Sequence, residues 1–364
     1  MDLKQRKIIV MAGGTGGHVF PALSVAAELQ HRGATVEWLG TARGIEAELV
    51  PAANIPLHCL SIEGVRGKGL LTLVKAPFLL LGAVWQASQV IRRSGADVVL
   101  GLGGFASGPG GIAARLLGKP LIIHEQNAVA GTTNRWLSKV ANVVLEAFPG
   151  SLPEAVHVGN PVRAEIAAVA ELDCCSDRPL HLLVLGGSLG ALALNQTLPV
   201  ALAQLPEDER PLVRHQTGKR HIAATGEAYQ QAGVTAQVEA FIEDMAAAYE
   251  WADVVICRSG ALTVSELTLA GRGALLVPFP FAIDDHQTRN AEWLVHNNAG
   301  VLMPQSAMNK EKLAEFIVSV SKDRQQLQTM GRNAKALAMP NAASDVADYC
   351  QQAVSRKQEN NHGE

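Results

Sequence analysis

The chain repeats itself, and the repetition constrains its fold more than any other feature. IIVMAGGTGG (8–17) and LLVLGGSLGA (182–191) each run from buried-type aliphatic residues through Gly-Gly-(Thr/Ser)-x-Gly into a helical stretch. Later in each half, DVVLGLGGFASGPGG (97–111) parallels DVVICRSGALTVSE (253–266), again strand, glycine, small residues and helix. Short Val/Ile/Leu runs alternating with amphipathic stretches predict βαβ units, hence an α/β chain with a parallel sheet in each half. Open parallel sheets bind ligands beyond the carboxyl ends of their strands, so the strand-end loops of the two halves are expected to face one another across a cleft. Asn-Pro within VGNPVR (158–163) marks the expected hinge. The expected domains are therefore 1–161 and 162–340, with a C-terminal helix over 341–360 returning to the first and a polar tail, KQENNHGE, read as unstructured.

A length of 364 residues agrees with two cores rather than one. The formal net charge of −3 argues against a nucleic-acid scaffold. Through residue 161 there are 14 basic against 10 acidic residues, and beyond it 17 against 24, which points to an anionic partner for the first half, although chance among solvated faces gives the same asymmetry. The five cysteines (Cys59, Cys174, Cys175, Cys257, Cys350) form no CxxC pair, as expected of reduced thiols in a cytoplasm. The N-terminus runs into a strand with no apolar leader, so export is not expected.

The first glycine loop fails two familiar templates. A dinucleotide fingerprint needs a third glycine where Val19 stands, and an ATPase loop needs a lysine where His18 stands. What survives is the physics shared by such loops: glycine permits close backbone approach, and the amides and dipole of the following helix favour an anion. Loops 13–17 and 186–190 are thus candidate phosphate sites, although a tight strand-to-helix turn needs no ligand. GLGGFASGPGG (101–111) is a third glycine-rich loop, and IIHEQNAVAG presents His124, Glu125, Gln126 and Asn127 at a strand end. Glu266, about one turn into a helix, suits a vicinal diol because both carboxylate oxygens accept hydrogen bonds; it equally suits a first-turn acid on the helix dipole. Gln287 and Asn290 are sugar-type partners, and Asp284-Asp285 lacks the companions of a hard-cation site.

MAGGTGGHVFPAL (11–23), GLGGFASGPGG, HEQNAVAGTTN (124–134), VGNPVR, GGSLGALALNQ (186–196), FIEDMAAAYEWADVVICRSGALTVSE (241–266) and DDHQTRNA (284–291) together resemble glycosyltransferase family 28. The resemblance runs from about residue 7 to about residue 350. It implies a GT-B fold of two Rossmann-like domains and inverting β-1,4 transfer of N-acetylglucosamine from UDP-N-acetylglucosamine. The acceptor is the 4-hydroxyl of undecaprenyl-pyrophosphoryl-N-acetylmuramoyl pentapeptide, with no cofactor or metal. Carried onto this chain, it implies Ser188 and Arg163 near the donor diphosphate and Ile242 at the uracil. Ala261, Leu262, Thr263, Val264, Ser265 and Glu266 follow the nucleotide, with Glu266 on the ribose and Gln287 and Asn290 on the sugar. Thr15, Gly16, Gly17, His18 and Asn127 enter from the first domain, with Gly14, Gly104 and Ser107 beside the acceptor pyrophosphate. Leu189 and Phe105 depart from the family pattern, where glutamine and tyrosine are frequent; both losses leave the backbone donors in place. Attachment at the cytoplasmic face of the bacterial inner membrane is implied, with cell-wall and division proteins as candidate partners.

A sugar hydroxyl attacking in one displacement needs a positioned base, while the diphosphate leaves on charge stabilisation alone. His18 is the preferred base, since an unperturbed imidazole titrates near pH 6.5, and Glu125 is its rival. Between Glu63 and Asp97 lie five cations (Arg66, Lys68, Lys75, Arg92, Arg93) and no acid, around the apolar run APFLLLGAVW (76–85). Ten apolar residues cannot span a bilayer, but cations flanking such a run suit an anionic membrane surface, here through residues 66–93; a buried helix is the alternative. The rival functions are a UDP-sugar transferase with a soluble acceptor, a UDP-N-acetylglucosamine epimerase, and a two-lobed binding protein without chemistry.

Overall fold

The structure is a computed structural model that describes residues 3–61, 70–173, 178–187 and 190–362. The chain divides into two units, residues 1–162 with 341–364, and residues 163–340.

In unit 1 the strands are β1 (Lys7–Met11), β2 (Thr35–Gly40), β3 (Leu57–Cys59), β4 (Val98–Gly101), β5 (Leu121–Glu125), β6 (Val143–Glu146) and β7 (Val156–His157). They form one sheet in the order β3-β2-β1-β4-β5-β6-β7, every pairing parallel. The crossovers carry α1 (Gly16–His31), α2 (Glu46–Ala52), α3 (Leu70–Ser94), α4 (Ser107–Leu116) and α5 (Thr132–Leu137). Alternate residues of β1 serve opposite cores: Ile8 and Val10 pack with α1, and Ile9 and Met11 pack on the α3–α4 side. Both faces are covered, which is why β1 and β4 read as unbroken aliphatic runs.

Unit 2 repeats the plan. Strands β8 (His181–Leu185), β9 (Leu212–Gln216), β10 (Gln237–Glu239), β11 (Val254–Cys257), β12 (Gly273–Leu276) and β13 (Gly300–Leu302) pair in parallel in the order β10-β9-β8-β11-β12-β13. Its helices are α6 (Leu192–Leu202), α7 (Ile222–Gln231), α8 (Met245–Trp251), α9 (Ala261–Ala270), α10 (His286–His296), α11 (Lys310–Lys322) and α12 (Arg324–Ala336). The last helix, α13 (Ala342–His362), packs on α1 of unit 1, adding Val346, Ala347, Cys350 and Val354 to that core. It runs on through residues read as an unstructured tail, because Lys357, Gln358 and Glu359 are good helix formers.

In each sheet the strand order reverses beside the first strand of the unit. The reversal falls between β1 and β4 in unit 1 and between β8 and β11 in unit 2. The duplicated glycine loops leave those strands, so each sits at the topological switch point where such sheets bind ligands.

Candidate active site

In unit 1 the loop after β1 turns at Gly14 (φ +92°) and hands over to α1 through Thr15, whose extended backbone is the N-cap. The amides of Gly16 and Gly17 are in the first turn and have no acceptor within the helix, so they project with the positive end of the dipole. His18 follows, half-exposed, its Nδ1 3.4 Å from Thr15 Oγ1. Its ring lies so close to Gly103 (φ +98°) that a Cβ there would stand 2.6 Å from His18 Cδ2. Gly104 (φ +85°) admits the loop after β1 in the same way, since its Cβ would stand 2.7 Å from Gly13 N. The two glycine loops of this unit are therefore in backbone contact and fix the imidazole between them.

Of the residues expected at the site in this unit, Gly14, Ser107 and Glu125 are held by hydrogen bonds within the protein. The Gly14 amide donates to Glu46 Oε2 at 2.9 Å, and Glu46, wholly buried, also accepts from Thr41 N and Oγ1. A fixed carboxylate thus braces the loop through the Gly14 amide. Ser107 is fully buried, and its Oγ donates to Gly103 O at 2.7 Å and Met11 O at 3.1 Å, so it ties the loops together rather than facing a pyrophosphate. Gly104 shapes the loop by its missing side chain. Glu125 is 2% exposed, and its carboxylate accepts from Asn127 N and Nδ2 on one oxygen and from Gly131 N and Asn134 Nδ2 on the other. A carboxylate holding four donors organises the 125–134 loop. Beside it, burial lowers the His124 pKa; its Nε2 donates to Gly159 O, and Nδ1 lies 3.3 Å from Gln126 Nε2. Asn127 is held by Glu125 and remains half-exposed.

In unit 2, Ser188 and Leu189 lie outside the described residues. The rest of their loop is tightly constrained, since a Cβ at Gly190 (φ +78°) would collide with the Thr217 carbonyl oxygen. Beneath it, Asn195 Nδ2 donates to Thr217 O, and His215 joins Asn195 Oδ1 to Tyr229 Oη. Burial drives His215 down to about 3, so this support is a neutral network.

The second phosphate-type terminus is α9, entered through Gly260 with Val264 N already bonded to Gly260 O. Leu262, Thr263 and Ser265 are half-exposed, with Ser265 Oγ donating to Ala261 O. Ala261 and Val264 are buried. Glu266 is buried and receives the Tyr249 hydroxyl at 3.0 Å on Oε2. Burial lifts its carboxyl to about 7, against the lowering pull of the Tyr249 hydrogen bond and the Arg163 charge. Arg163 Nη1 donates to Glu243 O. Ile242 is buried and its amide donates to Gln216 Oε1 at 3.3 Å.

Asn290 is fully buried and its Nδ2 donates to Ser259 O at 3.1 Å, which aligns the β11–α9 loop. Gln287, half-exposed, receives the Phe279 amide on Oε1. Arg258 pins the same loops through Val277 O, Pro278 O and Gln305 Oε1. Among the described residues no group of three His, Cys, Asp or Glu side chains is placed to hold a metal ion. Glu46, Tyr249 and Arg258 were not singled out by sequence; only the position of Glu46, just past the second strand, offered a clue.

Two parallel sheets, each with a glycine loop at its switch point, have the architecture of a nucleotide-sugar transferase of the GT-B type. The chain belongs to glycosyltransferase family 28: residues 8–146 match the family's N-terminal domain and residues 181–346 its C-terminal domain. It is 59% identical over 357 residues to the UDP-N-acetylglucosamine–N-acetylmuramyl-(pentapeptide) pyrophosphoryl-undecaprenol N-acetylglucosamine transferase of Cellvibrio japonicus, covering 96% of this chain and 98% of that one. The enzyme of the same name from Alkalilimnicola ehrlichii is 55% identical over 94% of this chain and 98% of its own. A crystal structure of Acinetobacter baumannii MurG superposes with a TM-score of 0.84 at 45% identity, over 95% of this chain and 99% of that one.

Proposed function

We propose that this chain transfers N-acetylglucosamine from UDP-N-acetylglucosamine to undecaprenyl-pyrophosphoryl-N-acetylmuramoyl pentapeptide, the step that completes the lipid-linked disaccharide precursor of peptidoglycan. The observation that carries the reading is near full-length identity above one half with enzymes of that name. The epimerase and soluble-acceptor readings have no comparable support.

The donor belongs to unit 2. The amino end of α9 and the glycine loop before α6 supply amides for the diphosphate, and Arg163 supplies positive charge as UDP departs. Glu266 Oε1 is left for the ribose diol while Tyr249 holds Oε2. The acceptor belongs to unit 1, where Gly16 and Gly17 amides serve its pyrophosphate. His18 takes the proton of the attacking 4-hydroxyl, and one displacement inverts the anomeric centre. Glu125 holds Asn127 in place.

The lipid acceptor gives meaning to one face of unit 1. Phe78 (75% exposed), Leu81 and Trp85 on α3 lie on the side of the unit where α3 packs on α4 and α4 on α5, which expose Leu116 and Trp136. Lys139 sits 4.5 Å over the Trp136 ring. Arg92 and Arg93 end α3, while Arg66, Lys68 and the Lys75 side chain lie outside the described residues. No described helix is long and apolar enough to cross a membrane. This face suits peripheral attachment to anionic lipid at the cytoplasmic face of the inner membrane.

The test is incubation with labelled UDP-N-acetylglucosamine and a short-chain lipid acceptor analogue. UDP release that requires acceptor is expected; conversion without acceptor, or binding without release, would overturn the assignment.

A further inference from the structure

A cavity of about 440 Å³ opens on unit 1 between the end of α4, the turn into β5, the start of β6 and residues 349–356 of α13. It lies at the amino ends of β5 and β6, at the opposite edge of the sheet from the glycine loops, and shares no residue with the site described above. Its polar lining is Arg115, Lys119, Arg356, Tyr349, Gln352 and Asn142, with no carboxylate among the lining residues.

Three cations around one cavity repel each other unless something anionic joins them. Among the described residues none of the three makes an ion pair, in contrast to Arg32 beneath the same helix, which binds Glu28, Asp348 and Ser344. Nor are they needed to cap α4, whose last carbonyls, Ala113, Ala114 and Arg115, already accept from the amides of Leu117, Lys119 and Gly118. The uncharged lining adds donors: Asn142 spends its Oδ1 on Leu121 N, which leaves its amide hydrogens available, and Tyr349 and Gln352 bring a hydroxyl and an amide.

We propose that this cavity binds the phosphate of an anionic ligand. Two guanidinium forks and an ammonium match a tetrahedral oxyanion better than a planar carboxylate pair, and the volume lies in the range of small-ligand sites, larger than a bare phosphate needs. The ligand is a phosphate ester, either the headgroup of a membrane lipid or a soluble metabolite. The cavity is separate from the donor and acceptor sites, so this assignment stands or falls independently of the transferase reading.

The experiment uses the full chain and a charge-keeping variant, Arg115→Lys/Arg356→Lys, which removes the forks and preserves net charge. Both residues are exposed, so the fold is expected to survive, which circular dichroism checks. Binding is measured to glycerol 3-phosphate and inorganic pyrophosphate in solution, and to vesicles of phosphatidylcholine with and without phosphatidylglycerol. Weakening by about threefold or more in the variant is expected, because Lys cannot reproduce bidentate contacts. Loss on the soluble anions identifies a metabolite site, and loss confined to phosphatidylglycerol vesicles identifies a headgroup site. Binding by the variant within about threefold of wild type on every probe would reduce the cavity to diffuse electrostatics and overturn the proposal. Failure of the wild-type chain to bind any probe would overturn it as well.

Discussion

Replacing Glu125 by Gln separates two roles that a carboxylate at a strand end can play. The side chain is 2% exposed and each oxygen receives two N–H donors, at 3.0 and 3.3 Å on one side and 3.1 and 2.9 Å on the other. Gln keeps the shape but turns one oxygen into an amide donor, so whichever way it is oriented two protein donors lose their acceptor. Hydrogen bonds to a charged acceptor contribute about 1.5–3 kcal/mol each, so two lost bonds amount to about 3–6 kcal/mol. Relief of the buried charge offsets part of this, leaving an expected destabilisation of about 3 kcal/mol. Against a typical total stability of about 5–15 kcal/mol, such a loss is readily measured by urea titration. Turnover of the folded variant should fall modestly, with the pH–rate profile keeping its shape. The refuting result is a variant that unfolds at the wild-type urea concentration yet loses about 10²–10⁴-fold in kcat together with the acidic limb of its profile. Glu125 would then be the base.

Other consequences can be checked in the same preparations. His18→Ala should lower kcat by about 10²–10⁴-fold with little change in urea midpoint; near-wild-type turnover would remove it as base. Gly104→Ala forces φ +85° on a Cβ that meets Gly13 N at 2.7 Å, so about 2–5 kcal/mol of stability should be lost. A wild-type melting curve for this variant would mean that the two loops are not in contact. Burial raises the Glu266 carboxyl from 4.5 to about 7, so the native state keeps a proton that the unfolded chain releases in that window. Stability should therefore fall as pH rises from about 4.5 to 7, by at most about 3 kcal/mol. Glu266→Gln should flatten that slope, and urea titrations at pH 5 and pH 8 decide it. Phe78→Ser/Trp85→Ser should cut sedimentation with phosphatidylglycerol vesicles by about tenfold while leaving stability within about 0.5 kcal/mol; unchanged sedimentation would leave this face unexplained.

The architecture was legible because it depends on periodicity. Aliphatic runs followed by glycine and a helical stretch, stated twice, are enough to require two parallel sheets, and the glycines fall after β1 and β8, where each strand order reverses. The site was legible by residue type but not by orientation. Ser107, Glu125 and Asn290 have the chemistry of ligands, yet each is turned inward to hold a loop, and which way they turn depends on helix phase and packing that no local pattern records. Glu46 and Tyr249 failed in the opposite sense. One begins an ordinary short helix and the other sits in the alanine-rich stretch before β11, and only the fold brings them to Gly14 and Glu266.

Helix α13 carries a consequence for how the molecule is made. The side of α1 against which it packs has no such partner until residues 342–362 have been synthesised. All of residues 163–340 are translated in between, which at ~5–20 residues per second takes roughly ten to forty seconds. At the end of that interval the second unit has its whole sequence and the first does not. The later half of the chain can finish folding first, while the earlier half waits on the ribosome with an open hydrophobic groove, a ready client for a chaperone.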